Sequence, residues 1–144
     1  MRPKPSVISD YPHRLIIPTR WSDNDVYGHV NNAVYYFYFD TVVNRFLIDK
    51  DLLEIGTSDV IGLVVETGCQ YFAPISFPQE VSAGLAVSKI GTSSVRYEIG
   101  LFAGDNTTAA AQGHFVHVYV NEATRRPVPI TDNMRTTLTE IYRD

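Results

Sequence analysis

Hydrophobic spacing changes character twice along this chain of 144 residues. Arg14-Leu15-Ile16-Ile17-Pro18-Thr19-Arg20-Trp21 is β-rich at its start, and the following Ser22 to Asn32 breaks the pattern with Asp, Asn and Gly. A strand and then a loop are expected. From Ala33 the apolar positions follow a helix: Val34, Tyr38, Val42 and Phe46 recur every four residues, and Tyr35, Phe39, Val43 and Leu47 form a second row beside them. Two adjacent rows make a wide apolar face. With Tyr36, Asp40 and Asn44 on the remaining surface, the pattern predicts a largely buried helix of roughly 17 residues, about 25 Å long. Asn31 or Asn32 is positioned to cap its start.

After Gly56 the chain reads as strands at Val60 to Phe72, Glu80 to Ile90, Thr92 to Phe102 and Thr108 to Val120. Pro74, Pro78, Gly91 and Gly104-Asp105-Asn106 separate them, and such short connections favour antiparallel neighbours. Thr131 to Tyr142 carries Met134, Leu138 and Ile141 at helical spacing and reads as a short terminal helix. Strand, long helix, then four strands implies one α+β domain over residues 1–144, with an antiparallel sheet wrapped around a central helix. Such a sheet has edge strands and an apolar margin that a second subunit would cover, so a homo-oligomer is expected.

Composition narrows the class. Hydrophobic residues make up 44% of the chain and charged residues 19%, a balance that supports a folded core. The net charge of −4 and the scattered basic residues argue against a nucleic-acid partner. Cys69 is the lone cysteine, so an intramolecular disulfide is excluded, and Met1-Arg2-Pro3-Lys4-Pro5 is no apolar leader. A cytoplasmic location is expected. No apolar run approaches the roughly 18 residues of a membrane span, so no membrane partner is expected either.

The chemistry concentrates in Arg20-Trp21-Ser22-Asp23-Asn24-Asp25-Val26-Tyr27-Gly28-His29-Val30-Asn31-Asn32-Ala33, which ends where the long helix begins. A helix start offers free N–H groups and the positive end of the dipole to an oxygen gaining negative charge. A carboxylate held beside it can attack a thioester or deprotonate water. The same residue types also build ordinary turns and caps.

Asp23-x-Asp25-x-x-Gly28-His29-Val30-Asn31-Asn32, followed by Tyr35 and an aromatic helix, resembles the 4-hydroxybenzoyl-CoA thioesterase-like group of hotdog-fold proteins. The resemblance spans nearly the whole chain, with Tyr71-Phe72-Ala73-Pro74 closing the second strand and Ile90-Gly91-Thr92-Ser93-Ser94-Val95 opening the fourth. It implies a hotdog fold and hydrolysis of an acyl-CoA or related thioester. It also implies Asp25 as the catalytic carboxylate, nucleophile or general base, and polarising amides in the backbone around Val30 to Ala33. The sequence carries His29 where some members have an aliphatic residue, and Asn32 where they have a histidine. His29-Val30-Asn31-Asn32 is similar instead to the variant in many bacterial acyl-CoA thioesterases and plant acyl-carrier-protein thioesterases, which leaves aryl and aliphatic substrates both open.

Around Asp25 we place His29 and Asn31 as further candidate catalytic residues. His29 would hydrogen-bond substrate or orient water, and Asn31 would touch substrate, although packing and capping account for the same residue types. Val30, Asn32 and Tyr35 are candidate substrate contacts. Gly91, Thr92 and Ser93 supply amides and hydroxyls for coenzyme phosphates, near Lys89, Arg96, Arg125 and Arg126. Asp23 is read first as closing the turn, Glu66 as an outward strand residue and Cys69 as packing only. Asp40 stands out as a carboxylate inside the helix that needs a partner or a wet cavity. His114 and His117 lie three apart in a strand and point to opposite faces, so no metal site is expected. No cofactor is implied, coenzyme A being part of the substrate, and a homodimer or dimer of dimers is the expected assembly. Two alternatives remain: an enoyl-thioester hydratase or dehydratase, whose Gly-Asp-x-Asn-Pro-x-x-His pattern is missing here, and a non-catalytic acyl-CoA-binding protein.

Overall fold

The computed structural model describes residues 3–54, 56 and 58–144. Strand β1 (His13–Pro18) leads through a loop to helix α1 (Val34–Asp49). Strands β2 (Val60–Tyr71), β3 (Glu80–Ile90), β4 (Ser94–Ala103) and β5 (Ala111–Asn121) follow, and helix α2 (Asp132–Thr139) ends the chain. The five strands form one sheet in the order β1-β3-β4-β5-β2, every neighbouring pair antiparallel. This is the α+β architecture that the alternation of patterns predicts, with one long helix against an antiparallel sheet, and it is the hotdog fold that the resemblance implies.

The two apolar rows of α1 supply its buried face. Tyr35, Tyr38, Phe39, Val42, Val43, Phe46 and Leu47 are buried, and they share one core with Leu85, Val87, Tyr97, Ile99, Leu101 and Phe115 of the sheet. Phe39 reaches the sheet because position 113 is glycine: a Cβ there would lie 2.6 Å from the Phe39 ring. The helix is less enclosed than its composition predicts. Phe37, Asp40, Thr41, Arg45 and Ile48 are exposed, so Asp40 is solvated and needs no buried partner. Its N-cap position is Ala33, without a side-chain cap; Asn31 acts one step earlier, its Oδ1 accepting from Ala33 N at 2.9 Å.

Element boundaries shift where turns claim residues. β4 begins at Ser94, not Thr92, because Gly91 N donates to Ser94 O at 2.8 Å and closes a tight connection from β3. β5 begins at Ala111, since Thr108 makes an isolated bridge to Val7 instead. α2 occupies only the middle of Thr131 to Tyr142, with Thr131 accepting from Met134 N as its cap.

β2 contains a feature that alternation alone conceals. Its register against β5 slips between Val64 and Glu66, where Val65 is the extra residue. Val64 and Gly62 pair with His117 and Tyr119, while Thr67, Cys69 and Tyr71 pair with Phe115, Gly113 and Ala111. The odd-numbered β5 residues face α1, so the bulge brings both ends of β2 onto the helix-facing side although their parities differ.

Candidate active site

The loop between β1 and α1 is held at both ends. Asp23 is 1% exposed and accepts from Arg20 N at 2.9 Å, Arg20 Nε at 3.0 Å and the Tyr38 hydroxyl at 2.7 Å. Burial alone would raise its carboxyl pKa, but the Arg20 and Tyr38 hydrogen bonds and the Arg20 charge outweigh that and hold it below its usual range. Asp23 is therefore the loop's anchor, and all its capacity is taken up by structure. Further along, Val30 N donates to Ile75 O at 2.7 Å and Asn31 N to Asp23 O at 2.9 Å. Asn24 Oδ1 accepts from Phe77 N at 3.0 Å, and Ser76 Oγ donates to Gly28 O at 3.0 Å. The segment after β2 thus braces the loop from the opposite side.

Between these anchors the chain makes a small turn around Asp25. Asp25 N donates to His29 O at 2.9 Å and Gly28 N to Asp25 O at 3.1 Å. Gly28 sits at φ +80°, the left-handed conformation that glycine adopts without steric cost. Asp25 Oδ1 accepts from Tyr27 N at 2.9 Å, and Asn31 Nδ2 approaches Oδ2 at 3.5 Å. The carboxylate is half-buried, with its position fixed and room left for a further contact.

Asp25 opens onto a shallow depression of about 550 Å³ whose other walls include His29, Val30, Asn32, Tyr35 and Tyr71 to Pro74. The fold therefore brings together Asp25, His29, Val30, Asn32 and Tyr35, with Asn31 alongside. Val30 is buried, His29 and Asn32 are exposed, and Tyr35 packs its ring against Tyr71 at 4.9 Å between centroids. Among the four amides from Val30 to Ala33, those of Val30, Asn31 and Ala33 already donate within the chain. The Asn32 amide has no acceptor among the described residues.

Tyr71 is the residue the sequence reading did not place. Its hydroxyl donates to Asn32 O at 2.8 Å, so it holds the helix start as well as forming a wall. The Tyr71-Phe72-Ala73-Pro74 string is conspicuous at a strand end, but only the sheet order brings it to the loop. Gly91, Thr92 and Ser93 lie elsewhere, in the β3–β4 turn. Their carbonyls accept from Arg135 Nη2, Ile130 N and Tyr119 N, and they do not line the Asp25 depression of their own chain.

Other candidates have separate settings. His114 contacts the exposed Glu66 at 2.8 Å on the sheet face away from α1, whereas His117 is buried on the inner face. The two histidines diverge as their spacing predicts. Among the described residues no three His, Cys, Asp or Glu side chains gather as metal ligands would. Burial pushes the Cys69 thiol up to about 11, so it is protonated at neutral pH. No described helix is long and apolar enough to cross a membrane.

An antiparallel sheet carrying one long helix, with an acid-bearing loop at the helix start, defines the hotdog class. Residues 19–138 match the sequence profile of the thioesterase-like superfamily, and the chain belongs to that family. It is similar to the PA5185 protein of Pseudomonas aeruginosa strain PAO1, at 47% identity and a TM-score of 0.94 over 99% of each chain. It also resembles a thioesterase from Thermus thermophilus solved with coenzyme A and zinc, at 31% identity and a TM-score of 0.76, covering 92% of this chain and 95% of that one. The YsmA protein of Bacillus subtilis strain 168, uncharacterised, is 23% identical over 124 residues, 85% of this chain and 82% of its own.

Proposed function

We propose that this protein hydrolyses an acyl-CoA thioester, with Asp25 as nucleophile or general base and the Asn32 amide as a donor to the thioester oxygen. The observation that carries the reading is the meeting of the positioned Asp25 carboxylate with Asn32, at the start of a long helix, around one open depression. As nucleophile, Asp25 forms a bond to the acyl carbon and expels the coenzyme thiolate, and water then cleaves the mixed anhydride to release the acid and restore Asp25. As general base, it takes a proton from water, whose oxygen attacks the acyl carbon directly while the thiolate leaves and is protonated. In both routes negative charge grows on the carbonyl oxygen, where a fixed N–H stabilises the transition state more than the ground state. Coenzyme A bound to the Thermus relative supports a CoA thioester as the substrate class.

The assembly proposed with this activity is a homodimer formed along β2, in the cytoplasm. The two sheet edges differ: β1 is short and ends at Pro18, whereas β2 has 12 residues and exposes Leu63, Val64 and Val65. A long apolar edge with unpaired backbone groups favours an identical strand, and an antiparallel two-fold pairing closes without leaving a new edge at that side.

The decisive experiment is Asp25→Asn, assayed by thiol release over short, medium, long and aromatic acyl-CoAs. Turnover should fall by about 10²- to 10⁴-fold, the usual worth of a positioned base, with acyl-CoA binding little changed. Near-normal turnover in the folded variant would overturn the assignment. Loss of enoyl absorbance from crotonyl-CoA without free thiol would point to hydration instead.

A further inference from the structure

The polar groups on either side of the Asn32 amide are already committed. Asn31 O accepts from Val34 N at 2.9 Å, Asn31 Oδ1 accepts from Ala33 N at 2.9 Å, and Asn32 O accepts from the Tyr71 hydroxyl at 2.8 Å. The first two bonds are internal to the loop and the helix start. The third comes from the sheet, 39 residues further along the chain.

The way α1 begins leaves that carbonyl to Tyr71. A regular helix continued back past Val34 would have Tyr36 N donate to Asn32 O, four residues earlier. Here Tyr36 N donates to Ala33 O at 3.3 Å, and Ala33 is the N-cap position. Asn32 O therefore stands outside the helical ladder, with the Tyr71 hydroxyl as its partner. Tyr71 can reach it because it is the last residue of β2, and the bulge at Val65 turns that strand end onto the helix-facing side. Its ring stands edge-on to the ring of the buried Tyr35, with centroids 4.9 Å apart and planes at 70°, which limits the directions open to the hydroxyl.

A hydrogen bond to a backbone carbonyl fixes more than the oxygen. The N–H and C=O of Asn32 belong to two rigid peptide planes that meet at one Cα. With Asn31 O held by Val34 and Asn32 O held by Tyr71, both planes are fixed, and the direction of the unused N–H is fixed with them. A donor oriented before the reaction needs no reorganisation when charge develops on its acceptor. Releasing the Asn32 carbonyl would leave the amide present but free to swing. The loss would fall on the transition state, where the thioester oxygen carries the most charge.

We propose that Tyr71 is a positioning residue for thioester hydrolysis: by holding the Asn32 carbonyl, its hydroxyl aims the Asn32 N–H at the thioester oxygen. This rests on the thioesterase reading above. Tyr71 acts through Asn32 and exchanges no proton. Its hydroxyl and its ring have separable effects, because the hydroxyl sets the amide whereas the ring forms a wall of the depression beside Tyr35.

Two substitutions and two readouts test this. Tyr71→Phe keeps the ring and removes the hydroxyl; Tyr71→Leu removes both. In Tyr71→Phe, kcat for acyl-CoA hydrolysis should fall about tenfold, part of the roughly 10²- to 10³-fold that a whole oxyanion donor supplies, with KM within about twofold of the parent. Tyr71→Leu should show the same loss of kcat together with a raised KM. In the ligand-free proteins, NMR should show the Asn32 backbone amide resonance shifted or broadened in Tyr71→Phe. The amides of Asp25 and Val30, which donate to His29 O and Ile75 O, should stay in place. Parental kcat in Tyr71→Phe, a change confined to KM, or an unmoved Asn32 resonance would overturn the proposal. The two readings fail separately: full loss of turnover in Asp25→Asn beside an unimpaired Tyr71→Phe defeats the role of Tyr71 alone, and parental turnover in Asp25→Asn beside an impaired Tyr71→Phe defeats that of Asp25 alone. A parent protein that hydrolyses no thioester defeats both.

Discussion

Two aspartates two residues apart have opposite settings, and substitution should separate them. Asp23 is buried and accepts from Arg20 and Tyr38, so Asp23→Asn should cost about 1–3 kcal/mol of stability at neutral pH. Its carboxyl is held below the ordinary value, so its contribution is present above the unfolded-state value of about 3.9 and is lost as the pH falls through the lower folded value. The variant should flatten the acid limb of the melting temperature against pH, while its loss of turnover stays smaller than that of Asp25→Asn. Equal losses in both would indicate that the whole loop had collapsed. Cys69→Ser should leave turnover nearly intact, since the thiol is protonated and takes no part in the site; a thousandfold loss in a folded variant would reveal a missed nucleophile.

At the level of elements, β2 carries more than its share of the architecture. Its outer edge is unpaired in the single chain, its last residue reaches the helix start, and its bulge sets which side chains face α1. Val65, at the bulge, is 60% exposed and lies near the middle of the strand, where a two-fold pairing would bring two copies together. With the whole of β2 paired about a two-fold axis, Val65 faces the partner's Glu66, so Val65→Glu should set like charges opposite one another and shift sedimentation at micromolar concentration from dimer to monomer. An unchanged dimer would place the interface elsewhere. Helix α1 is the complementary element, since its start supplies the amides near Asp25.

For the whole molecule, the buried His117 makes stability depend on pH over a defined window. Its folded value is about 4 against roughly 6.5 in the unfolded chain, so the unfolded state binds the extra proton between them. Stability from this group is complete above about 6.5 and falls as the pH is lowered toward 4. The rings packed on it, Tyr97, Phe115 and Tyr119, carry no charge in that range. Chemical denaturation should show a smaller loss between these pH values in His117→Phe than in the parent; identical slopes would mean that His117 is not buried in solution.

The local patterns in the chain were sufficient for the elements and their order. Four-residue apolar recurrence marks α1 because it places a continuous stripe against the sheet, and the short Gly-bearing turns join β3 to β4 and β4 to β5 as antiparallel neighbours; the equally short Pro-bearing connection does not, since β2 crosses to pair with β5 and not with β3. The loop's Asp, Gly, His and Asn residues were legible as a candidate site because those residue types combine charge, tight turning and helix-start amides. Tertiary structure decided what each one does. Only packing distinguishes the buried, fully bonded Asp23 from the half-open Asp25, since both are the same residue in the same loop. Only the sheet order brings Tyr71 to Asn32, across 39 residues of chain. Only the bulge puts His117, Gly62 and Tyr71 in one layer, because a one-residue slip reverses the facing of every side chain beyond it.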